Sequence, residues 1–169
     1  MMLLSIILLL ISTFIQGTVS NYLGYTYTNL SMFSTIYSLI DILIIAPYFE
    51  NKKKYFILLI IFGLILDVAY TNTSILNTCL FILSYYVSKI FHSFFPYNWL
   101  TTSVSNILSI FSYHIISFVF LNILKYDTYS FLVLLKILSH SILMTIIYSN
   151  ILYLVINFIF KKFELKEVK

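Results

Sequence analysis

Long apolar runs alternate with short polar breaks along the whole chain, and this rhythm predicts six helices. The first covers about 3–20 and ends in the polar patch Asn21–Asn29. The second covers 30–48, closed by Pro47 and the charged turn Glu50-Asn51-Lys52-Lys53-Lys54. The third covers 55–70, and the fourth, 75–91, stops before Pro96. The fifth covers 99–124 and the sixth 131–160. A helix needs about 20 mostly apolar residues to cross a hydrocarbon core, so the pattern predicts an all-α bundle of six transmembrane helices. The sixth run is long enough to tilt or to emerge from the bilayer. No segment is left over for a second domain, and 1–169 reads as one transmembrane domain.

Composition strengthens this reading. Of 169 residues, 61% are apolar and 9% charged, against about 25% charged in a soluble domain. Lipid accommodates that excess because the outside of a bundle needs no water-compatible side chains. The N-terminal run lacks a basic leader and a small-x-small cleavage pattern, so it reads as the first span and not as a signal peptide. Cys79 is the single cysteine and excludes an internal disulfide.

The net charge of +4 is carried by lysines at helix ends, which argues for topology and against nucleic acid as a partner. Lys52, Lys53 and Lys54 lie between spans two and three, Lys89 ends span four, and Lys161, Lys162, Lys166 and Lys169 follow span six. With six spans, all these loops fall on one side, and the positive-inside rule puts both termini in the cytoplasm. Tyr48, Tyr55, Tyr70, Tyr97 and Trp99, with Tyr22, Tyr25, Tyr27, Tyr126 and Tyr129, fall near predicted ends and read as interfacial anchors.

An ionisable group within a span costs about 2.5–3.5 kcal/mol on insertion scales. Asp67 lies near the outer end of span three, one turn after Gly63 on the same face. Glycine permits close helix approach, and a carboxylate beside it can take donors from the neighbour. Lys136 enters span six at a similar depth, so it either pairs with Asp67 or extends its amine to the headgroups. Asp41 in span two has no evident partner. His92, His114 and His140 lie on three spans without metal-ligand spacing and read as hydrogen-bonded bundle residues.

Polar stripes mark span five (Thr102, Asn106, Ser109, Tyr113, Ser117), span four (Asn77, Ser84, Ser88) and span one (Thr13, Gln16, Gly17, Ser20). Interhelical hydrogen bonds and a central substrate cavity would produce the same stripes. No phosphate-binding glycine loop, metal cluster or nucleophile-base pair appears, so neither catalysis nor a cofactor is expected.

Several short motifs, taken in order, resemble the MreD family of bacterial rod-shape membrane proteins. They are Ile15-Gln16-Gly17-Thr18 in span one, Gly63-Leu64-Ile65-Leu66-Asp67 in span three, and Asn77 with Leu80 in span four. Tyr85, Lys89, Tyr113-His114 and Asn150 also match common family positions. The chain departs from the family at Thr28-Asn29-Leu30, where proline is common, and at Leu59 and Ile75, where glycine is expected. The resemblance implies a non-enzymatic scaffold in the bacterial cytoplasmic membrane. Its partners would be the single-span protein MreC and, through it, MreB, the RodA glycosyltransferase and a penicillin-binding transpeptidase. It also implies a fold similar to the substrate-binding subunits of energy-coupling vitamin transporters, which supply the alternative function.

Overall fold

In the computed structural model, residues 2–23, 35–71, 75–125 and 130–162 are described, with the side chains of 19–23 and 160–162 outside that description. Six α-helices follow in order: α1 Met2–Leu23, α2 Tyr37–Ile45, α3 Lys52–Leu66, α4 Leu76–Phe94, α5 Trp99–Ile123 and α6 Phe131–Lys162. No strand occurs among the described residues. Three segments are long and apolar enough to cross a membrane: Lys52–Thr71, Trp99–Ile123 and Phe131–Ile159. The apolar stretches Met2–Thr18 and Tyr37–Tyr48 are shorter. The first part of the expected second span, up to residue 34, lies outside the described residues.

Local chemistry sets the helix ends. Pro47 lacks a backbone donor, and α2 tightens into a 3-10 turn at Ala46–Tyr48. The Asn51 side chain accepts from the amides of Lys53 (3.0 Å) and Lys54 (3.4 Å) and starts α3. Asn98 and Thr101 cap each other's backbone at the start of α5. At its far end α5 stops where Lys125 turns left-handed, with φ 53°.

All nine residues of α2 are buried, which places this short helix at the bundle centre, packed by α1, α6, α5 and α4. A helix enclosed all round must be apolar all round, and Tyr-Ser-Leu-Ile-Asp-Ile-Leu-Ile-Ile meets that need except at Ser38 and Asp41. Large apolar side chains elsewhere point outward: Leu3, Phe14, Val68, Ile90, Ile123 and Leu154 are each at least 60% exposed. Serines, threonines, asparagines and both Asp41 and Asp67 lie inside. A water-soluble protein has the opposite arrangement. The apolar rind and the three long helices are those of a membrane protein.

Two tyrosines depart from the interfacial reading. Tyr55 is fully buried and Tyr48 nearly so. Tyr55 donates to the Ile42 carbonyl (3.3 Å) and Tyr48 to Asn157 Oδ1 (2.9 Å). A run boundary therefore did not coincide with an exposed ring, because α2 is short and its end lies within the bundle.

Candidate functional site

The backbone of α3 widens into a π turn at Asp67–Thr71, which aims the Asp67 carboxylate at the start of α4. The first amides of a helix have no intrahelical acceptor, and here Asp67 supplies one from ten residues upstream. Its Oδ1 accepts from the Asn77 amide (2.9 Å) and from Asn77 Nδ2 (3.0 Å). Its Oδ2 accepts from the Thr78 amide (3.2 Å) and from Thr78 Oγ1 (3.0 Å). Four donors and the positive end of a helix dipole thus face one buried carboxylate.

Asn77 extends this cluster. Its Nδ2 also donates to Thr71 Oγ1 (2.7 Å), and its Oδ1 accepts from the Tyr113 hydroxyl of α5. One polar network joins α3, α4 and α5. Close approach makes it possible: a Cβ on Gly63 would lie 2.7 Å from the Thr78 Cα and 2.9 Å from its Oγ1. The notch at Gly63 is filled from within the chain, by α4, and is not a vacant seat for another protein.

Ile75, just before α4, has φ 73°. That left-handed conformation suits glycine and penalises a β-branched residue. This is the position at which the family resemblance leads one to expect glycine.

Of the two alternatives for Lys136, pairing with Asp67 or extending its amine outward, the second is the arrangement found. Asp67 is 1% exposed and held by Asn77 and Thr78, whereas Lys136 is exposed on α6. Backbone and side-chain amides satisfy the carboxylate at lower desolvation cost than a buried ammonium would.

Gln16 and Gly17 belong to a different contact. Gln16 Oε1 accepts from Ser38 of α2 (3.3 Å). Gly17 faces Tyr70, whose hydroxyl reaches past it to the Thr13 carbonyl (2.8 Å). Tyr70 therefore ties the π turn to α1, and the two glycine positions flank the same end of α3.

A second buried carboxylate, Asp41, sits on α2. Its Oδ1 accepts from Tyr148 of α6 (2.9 Å), and its Oδ2 has no hydrogen-bond partner. Thr35, two residues before α2, bonds Thr145 of α6 at 2.5 Å, so the segment entering α2 is also tied to α6. Residue separations of 107 and 110 hid these partners from a linear reading.

The polar stripes of α4 and α5 bind each other. Ser84 and Ser109 each donate to the other's carbonyl, at 3.3 and 3.2 Å, and Ser88 meets Ser105 at 2.8 Å. Asn150 accepts from Ser103 (2.7 Å) and links α6 to α5. These stripes are helix contacts. Buried Thr102 Oγ1 and Asn106 Nδ2 make no hydrogen bond.

His92 has a hydrogen bond with the Phe95 backbone, while the Nδ1 atoms of His92 and His140 are buried without a hydrogen-bond partner. His92 also stacks on Tyr97, ring centres 3.7 Å apart. No group of metal-ligating residues forms among the described residues.

Lys52, Lys53 and Lys54 are exposed at the start of α3. Lys161 and Lys162 end α6, four and five residues after Asn157, which is bonded to Tyr48 at the close of α2. The basic segments therefore gather at one end of the bundle. The chain matches no family model, no curated protein and no solved structure.

Proposed function

We propose that the chain is a six-span protein of the bacterial cytoplasmic membrane, with both termini inside, acting as a non-enzymatic scaffold of the cell-elongation machinery. In this reading it resembles MreD and packs laterally against the single span of an MreC-like protein. Through that protein it meets MreB, RodA and a penicillin-binding transpeptidase, and so influences cell shape and peptidoglycan synthesis.

One observation carries the reading. Three of the residues through which the chain resembles the family, Asp67, Asn77 and Tyr113, form one hydrogen-bonded network across three helices, and a fourth, Gly63, packs directly beside it against Thr78. A network of this kind fixes helix spacing, as a scaffold requires, and presents no reactive group to a substrate. Its contribution to the partner is indirect: it holds rigid the outer faces against which another span packs. Eight of the ten lysines fall on the side this orientation makes cytoplasmic and Lys125 and Lys136 on the other, a bias that supports it through the positive-inside rule.

The test is a gentle-detergent pull-down of the tagged chain from its native membrane, with every co-purifying protein identified. Recovery of an MreC-like protein and elongation enzymes is the expected result. Recovery of paired ATPases with a coupling subunit would reject it in favour of a vitamin-transporter subunit.

A further inference from the structure

At the lysine-bearing end of the bundle, a cavity of about 240 Å³ opens between the start of α3 and the last turns of α4. Lys52 enters it from α3, and Lys89 and Ser88 from α4. Tyr97, from the turn after α4, lines it as well. Phe56, one turn after Lys52, and Pro47 add apolar wall.

The charge balance of this cavity is unusual. Among the described residues, two ammonium-bearing side chains line it and no acidic one does. Glu50, two residues before Lys52, is exposed and is not part of the lining. The Lys89 amine stands 6.0 Å from the centre of the Tyr86 ring, a weak contact that offsets little of its charge. Lys52 is also the first residue of α3, whose N-terminus carries the positive end of the helix dipole. Two like charges converging on one space repel unless an anion lies between them.

We propose that this cavity binds the phosphate of an anionic phospholipid. Lys52 and Lys89 pair with the phosphodiester from two helices, and Phe56 and Pro47 face the adjoining carbon skeleton. The mixed lining favours an amphiphile, because a fully hydrated anion gains nothing from an aromatic wall. Bound lipid would bridge α3 and α4 at the end opposite the Asp67 network. The proposal needs the chain to reside in a bilayer and is independent of which protein partners it has.

The experiment uses the purified full-length chain in neutral detergent. Thermal stability is titrated with phosphatidylglycerol, with phosphatidylcholine and with inorganic phosphate. Phosphatidylglycerol should stabilise the wild-type chain, and phosphatidylcholine should not. The apparent affinity should fall about thirtyfold in K52Q/K89Q, at about 1 kcal/mol for each of the two basic residues. K53Q/K54Q loses the same charge next to the cavity and should keep the affinity. Equal losses in the two double variants would overturn the site in favour of diffuse surface attraction. The same stabilisation by millimolar inorganic phosphate, lost only in K52Q/K89Q, would overturn the lipid and leave a site for free phosphate. Because K52Q/K89Q can fail to fold, a photoreactive phosphatidylglycerol is also applied to the wild type. It should label the peptides containing Lys52–Phe56 and Tyr85–Lys89, and labelling confined to other peptides would overturn the proposal.

Discussion

Gly63 and Thr78 meet where α3 and α4 come closest, and a Cβ on the glycine would stand 2.7 Å from the Thr78 Cα. The obstacle is backbone, so it cannot swing aside as a side chain would. This contact brings the Thr78 amide and hydroxyl within reach of Asp67. Close packing and carboxylate capping are therefore one device.

Gly63→Ala should push α4 away from α3 and stretch all four bonds to Asp67. Overpacking of this kind costs about 1–3 kcal/mol. Thermal unfolding in detergent should show a lower Tm, and Gly63→Ser should be at least as damaging. An unchanged Tm in both variants would mean that the helices separate freely at this point.

Asp67→Asn keeps the shape of the side chain but replaces one acceptor oxygen with a donor. That NH₂ would face either the Asn77 pair of donors or the Thr78 pair. Loss of charge-assisted bonds at a buried site costs about 1.5–3 kcal/mol each. The variant should lose more stability than Tyr113→Phe, which removes one hydroxyl from the edge of the network. Comparison of the two melting temperatures checks the order.

Ile75→Gly should raise stability. An L-residue in the left-handed region carries about 1–2 kcal/mol of strain, and glycine removes it at an entropic cost of about 0.5–1 kcal/mol. The net gain should appear as a small rise in Tm, and Ile75→Val should give none.

Asp41 and Tyr148 make a different prediction. Tyr148→Phe leaves a second buried carboxylate oxygen without a donor and should destabilise the chain by about 1–3 kcal/mol. Asp41→Asn retains an acceptor for Tyr148 and removes an ionisable group from the bundle centre, so it should be neutral or stabilising. In the Asp41→Leu background, Tyr148→Phe should cost much less. Additive losses would show that the two side chains do not interact.

The periodicity of the sequence located helices well where a run was bounded by a capping residue or a proline. Asn51, Asn98 and Pro47 all act through the backbone within a few positions, so their effects are visible locally. The Gly63–Asp67 spacing likewise marked a face. Its neighbour across that face is Thr78, which belongs to none of the polar stripes read along the chain. Two alternatives stayed open for Lys136, since equal depth in two spans says nothing about whether their faces meet. The interfacial reading failed for Tyr55, because a run boundary does not show that the ring there lies inside the bundle.

From the sequence alone come the apolar helices, the bias of the lysines to one side and the face shared by Gly63 and Asp67, all of which depend on residues a few positions apart. Tertiary structure decided the rest: Tyr148 as the partner of Asp41, the seating of α2 at the centre, and the convergence of Lys52 and Lys89 on one cavity. Local spacing fixes which way a side chain points on its own helix. Which helix it points at depends on how every other helix packs, and no stretch of linear sequence carries that information.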